Sequence, residues 1–159
     1  MPIGLTAGCT GLCLLAVVTT ASAQDSCIHP ATKAVDAAET QAWREHEARR
    51  DLGLMGEIAG RWTGDTRNPD GTVNQMTVAY GADGTLAFTF RECGRGPGGD
   101  CTEIPGRGTW AAFRQGGSIA MARRLSTEHF ADLCQHVTGV LTDPDTFVGA
   151  DGQVGRRLR

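Results

Sequence analysis

The chain lacks several features, and each absence removes a class of protein. Its longest apolar stretch, Leu12 to Val18, falls well short of the roughly 20 residues that cross a bilayer as a helix, so no transmembrane segment is expected. No Cys-x-x-Cys pair occurs, which argues against a structural zinc site. No serine stands in the Gly-x-Ser-x-Gly turn of a nucleophile elbow. Lysine is nearly missing: Lys33 is the single example, and the other basic side chains are arginines, a bias that accompanies the many alanines and glycines. The formal net charge of −3 gives no reason to expect a nucleic-acid partner.

Metal ligation needs imidazoles and carboxylates that converge. Asp132 and His136 share one face of a strand but stand about 13 Å apart at strand rise. Glu128 and His129 face opposite sides, and His29 and His46 belong to the segment before the strands. Gly94-Arg95-Gly96-Pro97-Gly98-Gly99 is rich in glycine, as a phosphate-cradling loop is, yet no helix follows it and Pro97 has no N–H to donate. The expectation is a non-catalytic protein with no metal and no cofactor.

What is present begins with a leader. The apolar stretch runs into Thr19-Thr20 and then Ala21-Ser22-Ala23, the small-residue end that a signal peptidase cuts, so residues 1–23 read as a cleavable export signal. No Lys or Arg stands near Met1, which leaves the amino terminus as the positive charge of that signal. The expected location is periplasmic or secreted. Cleavage removes Cys9 and Cys13 and leaves Cys27, Cys93, Cys101 and Cys134, an even number in an oxidising compartment. Four cysteines allow three connectivities, and the sequence does not choose among them. The expected pairing is Cys93 with Cys101, closing a short loop, and Cys27 with Cys134, tying the N-terminal segment to a late strand. In the chain-entropy account these contribute roughly 2 to 3 and roughly 4 to 5 kcal/mol.

Residues 24–55 form the expected N-terminal helical segment. Ala, Glu, Arg and Gln dominate between Pro30 and Gly53, where no strand-like alternation occurs, so one helix is expected. Asp36 with Glu39 makes a capping box if the helix starts there, whereas Pro30 suits an earlier start. Val35, Ala38 and Ala42 would form its narrow apolar face.

From Gly60 the texture changes to short alternating runs between turns such as Gly81-Ala82-Asp83-Gly84 and Ala150-Asp151-Gly152-Gln153. Eight strands are expected near residues 61–66, 73–80, 85–92, 107–114, 118–125, 130–141, 145–150 and 153–159. Turns this frequent leave no room for crossover helices and require an antiparallel meander. Leu86, Phe88 and Phe90 carry the clearest period-two signal. The same parity turns Met76, Val78, Tyr80, Ile119, Met121, Arg123, Gln135, Val137, Leu141, Val154, Arg156 and Leu158 inward. Trp110 and Phe113 cannot both face inward without a bulge.

Gly60-Arg61-Trp62 at the start of the first strand, the later Gly108-Thr109-Trp110, the Asp-Gly hairpins and the closing Gly155-Arg156-Arg157-Leu158-Arg159 together resemble the lipocalin-like (calycin) small β-barrels, here as an exported bacterial member. The resemblance covers roughly residues 56–159. It implies a mainly β fold, an eight-stranded antiparallel up-and-down barrel preceded by one N-terminal helix. It also implies that Trp62 plugs the closed end and is covered by Arg156 or Arg157, with Gly60 and Trp110 as further structural residues. The chain is shorter than a classical lipocalin and lacks the helix that follows the barrel in that family.

An inward guanidinium is costly unless something pairs with it. The expected function is therefore to hold a small apolar or amphiphilic ligand, which can be anionic, against Arg123 or Arg156, with Tyr80, Phe88, Phe90 and Met121 around it. A rival expectation is an inhibitor of a protease or lysozyme that engages its protein target through the N-terminal arm or the loop at Arg95. A barrel filled solid by Trp62, Tyr80, Phe88, Phe90 and Trp110 would favour the rival.

Overall fold

A computed structural model describes residues 26–67, 70, 72–94 and 100–159. The expected leader and the glycine-rich loop with Arg95 lie outside the described residues. The elements run β1 (Cys27–Ile28), β2 (Val35–Asp36), α1 (Ala37–Ala48), α2 (Leu52–Ile58), β3 (Gly60–Arg67), β4 (Val73–Tyr80), β5 (Thr85–Cys93), β6 (Cys101–Gln115), β7 (Ser118–Ser126), β8 (Leu133–Asp143), β9 (Thr146–Gly149) and β10 (Val154–Leu158). Strands β3 to β10 close into an eight-stranded antiparallel barrel, each strand beside its neighbour in sequence and β10 zipped to β3. This architecture is consistent with a calycin-like fold. Closure leaves no strand edge unpaired, which a meander of this length otherwise exposes. Neither helix is long and apolar enough to cross a membrane.

The lead-in holds two helices where one was expected. Asp36 caps α1 by accepting from the N–H groups of Ala38 and Glu39. The chain then breaks at Asp51, whose N–H donates to the Ala112 carbonyl and whose carboxylate accepts from Leu54 N–H to start α2. A polar residue that caps one helix while tied to a strand turns the chain from the barrel wall onto the barrel end. Gly53 and Gly56 obscure α2 in the sequence, yet Leu54, Met55 and Ile58 are fully buried in the barrel core.

The expected apolar face of α1 is also corrected. Val35 lies in β2 and is 60% exposed, and Ala38 is exposed. Docking instead uses Thr40 and Trp43, which are buried, together with Glu39 and His46. They meet the outer side of β6 and β7, where Ala111, Phe113, Ala120 and Ala122 are buried. Alanines let the helix come close, and the Phe113 ring sits beneath Arg49 at 3.8 Å and beside His46 at 5.1 Å. Glu39 reaches His136 of β8 at 2.9 Å and so does not complete a capping box. The Cys27–Cys134 disulfide pins the start of this arm to β8, and Cys93–Cys101 bridges β5 and β6.

Trp110 and Phe113 are thus both buried without a bulge. The β6–β7 register is unbroken from Arg107 to Gln115, with Trp110 in the interior and Phe113 under α1.

Trp62 closes the barrel floor. Its indole N–H donates to the Ile58 carbonyl at 2.7 Å, and the Arg157 guanidinium lies 4.5 Å over the ring. Arg157 also donates to the carbonyls of Glu57 and Ala59, which bind α2 to the last strand. Gly60 has a φ of 131°, and a Cβ there would stand 2.8 Å from Arg157 Nη1. The positive φ requires glycine, whereas the clash is with the movable tip of Arg157. In the β4–β5 turn, hydrogen bonds from the Thr85 hydroxyl and then from its N–H hold the Asp83 carboxyl below the usual aspartate range.

Candidate functional site

The strand register divides the interior. Alternate residues point inward, so Trp62 facing in fixes Gly64 and Thr66 on β3, and its partner Val78 fixes Asn74, Met76 and Tyr80 on β4. On one side the interior is filled. Leu86, Phe88, Trp110, Ala112 and Leu125 are buried there in contact with one another, and the Phe88 ring lies where a Cβ on Gly106 would be. On the other side, against β8, β9, β10, β3 and β4 and reaching Phe90 of β5 and Met121 and Arg123 of β7, a cavity of about 570 Å³ remains. That volume falls within the roughly 300 to 1,000 Å³ of small-molecule sites.

The hollow has a cause in the sequence. Gly64 and Gly155 are register partners on β3 and β10, and both line the cavity. A Cβ on Gly155 would meet only ordinary contacts at 3.9 Å, from Phe147 and Trp62. Bare backbone replaces side chains along this wall. Apolar surface comes from Ile58, Trp62, Met76, Val78, Phe90, Met121, Val137, Leu141 and Phe147.

Polar lining comes from Asn74, Tyr80, Arg123, Gln135 and His136, and Asp65 and Asp151 also border the cavity. Arg123 enters from β7 between its cross-strand neighbours Trp110 and Gln135. One of its terminal nitrogens donates to Tyr80 Oη at 3.3 Å and lies 4.0 Å from Met76 Sδ. No carboxylate pairs with it among the described residues. Four buried side-chain atoms there have no hydrogen-bond partner: Trp43 Nε1, Thr109 Oγ1, Arg123 Nε and Asn74 Oδ1. The last two belong to cavity-lining residues. Buried polar atoms normally find partners, so these two mark where an incoming molecule gains most.

Of the expected ligand-contacting residues, Arg123, Tyr80, Phe90 and Met121 line the cavity together. Phe88 does not; it faces inward but packs over Gly106 on the filled side. Arg156 is corrected outright. Trp62 pairs with Arg157 and Thr63 pairs with Arg156, so Arg157 shares the inner face of Trp62 while Arg156 points outward. Val154 and Leu158, also expected inside, are 39% and 38% exposed. Arg156 instead borders a second hollow of about 440 Å³ with Thr63, Asp151 and Gln153. Asn74 and the glycine pair escaped the sequence reading. Counting back two residues from Met76 reaches Asn74, but nothing in a glycine's identity says that it faces a void.

No group of three or more His, Cys, Asp or Glu side chains that could hold a metal ion occurs among the described residues. No protein-family model matches the chain, and neither a curated protein nor a solved structure matches it significantly.

Proposed function

We propose that the protein is an exported, non-catalytic, lipocalin-like carrier that holds a small amphiphile in the hollow side of its barrel, with an anionic head at Arg123. One observation carries this reading: a cavity of about 570 Å³, apolar along much of its wall, contains a single guanidinium whose buried Nε has no hydrogen-bond partner among the described residues. A partly buried guanidinium with no carboxylate beside it among the described residues gains a charge-assisted bond from an anion. Tyr80 Oη, already fixed by Arg123, is free to donate its own proton to the same head. Export is supported by the leader and by two disulfides, which persist in oxidising compartments. The inhibitor reading loses the solid interior that would have favoured it.

The test is titration of delipidated protein with a fluorescent fatty acid. Saturable binding is expected, weakened roughly ten- to a hundredfold by Arg123→Gln. Gly155→Leu, which places a side chain in the cavity, is expected to abolish it. No saturable binding, or binding indifferent to both substitutions, overturns the proposal.

A further inference from the structure

We infer that the ligand carries a hydroxyl near its anionic head, and that Asn74 is the residue that selects it. The inference rests on the carrier reading above and adds the class of amphiphile. Two cavity-lining residues each hold a buried polar atom without a partner, and the atoms are of opposite kind: Arg123 Nε is a donor and Asn74 Oδ1 an acceptor. A plain carboxylate can answer the first and has nothing to offer the second, because both groups would then be acceptors. A plain alkyl chain laid against Asn74 would leave its Oδ1 buried and unbonded. An ammonium group would answer Asn74 but would sit in the field of the Arg123 guanidinium. A hydroxyl meets the requirement without that repulsion, donating to Oδ1.

The position of the hydroxyl follows from the strand. Arg123 touches Met76, and Asn74 is the next inward residue on β4, about 7 Å along the strand. With a hydrogen-bond length taken up at each end, the head and the hydroxyl must lie within a few carbons of each other. Arg123 lies beside Trp110 and Tyr80 at the inner end of β4, whereas Asn74 lies beside Thr66, toward the loop that joins β3 and β4. The head therefore enters first and the hydroxyl stops nearer the opening.

Two acid pairs test this in competition with a fluorescent fatty acid: myristic against β-hydroxymyristic acid, and oleic against ricinoleic acid, whose hydroxyl is far from the carboxylate. The expected result is a roughly two- to tenfold preference for β-hydroxymyristic over myristic acid, with no gain for ricinoleic over oleic acid. Asn74→Leu is expected to remove the preference, with an unfolding midpoint near that of the wild type reporting that the variant is folded; Asn74→Ala serves if the leucine variant is not. Equal binding of the first pair by the wild-type protein, or a preference that survives loss of the Asn74 amide, overturns the inference and leaves the carrier reading standing. If none of the four acids binds, the carrier reading falls and this inference falls with it.

Discussion

Two sides of one barrel are built from the same strands and obey opposite rules. The β5–β7 side is filled with aromatic and aliphatic side chains and covered outside by α1. The side from β8 round to β4 is lined by glycine and scattered large residues, and its outer face carries exposed Val140 and Val154. Filling one side gives the fold its stability, and that stability allows the other side to remain hollow. Arg123 stands at the boundary, with Trp110 on one flank and Gln135 on the other.

The sharpest way to break this comparison uses two phenylalanines on one strand. Phe88 and Phe90 point to the same interior two residues apart, yet Phe88 is 6% exposed and packed, whereas Phe90 is half-buried and lines the cavity. Phe88→Ala leaves a new void in a filled region and is expected to cost about 3 to 5 kcal/mol in chemical denaturation. Phe90→Ala only enlarges an existing one and is expected to cost less than about 2 kcal/mol. Equal losses would mean that the two sides are not distinct.

The same pair shows how far the sequence could be read. Alternation at Leu86, Phe88 and Phe90, with turns at regular intervals, was enough to expect eight antiparallel strands and their closure. Gly60-Arg61-Trp62 was enough to expect which end is plugged. Alternation says inward or outward and nothing about what lies opposite, so it could not separate Phe88 from Phe90. It also failed on β10, where the inner positions hold Gly155 and Arg157 while the aliphatic Val154 and Leu158 face out. Hydrophobicity misleads there because the Trp62 ring is covered by a cation and the neighbouring wall is bare.

That strand gives the second test, which concerns how the hollow side is held shut below. Arg157 donates to two backbone carbonyls of the α2 end and covers Trp62, while its neighbour Arg156 points away from the interior. Arg157→Ala is expected to destabilise by roughly 1.5 to 3 kcal/mol, since it strips charge-assisted bonds from one part-buried and one exposed carbonyl and uncovers the Trp62 ring. Arg156→Ala is expected to fall within about 0.5 kcal/mol of the wild type. Thermal unfolding of the two variants side by side measures the difference, and a reversed order would return Arg156 to the interior.

The smallest effect on stability is expected at Gly155, and it bears most directly on the cavity. A Cβ on Gly106 collides with the Phe88 ring, so Gly106→Ala is expected to cost about 1 to 3 kcal/mol through displacement of a packed aromatic. A Cβ on Gly155 finds ordinary contacts only, so Gly155→Ala is expected to change stability by less than about 0.5 kcal/mol. Gly155→Leu then separates stability from binding. Its side chain extends into space that no other described residue occupies, which should leave the unfolding midpoint near that of Gly155→Ala while fluorescent fatty acid no longer binds. A leucine variant that unfolds as readily as Gly106→Ala would mean that the wall beside Gly155 is already closed, and the cavity could not then be the place where a ligand sits.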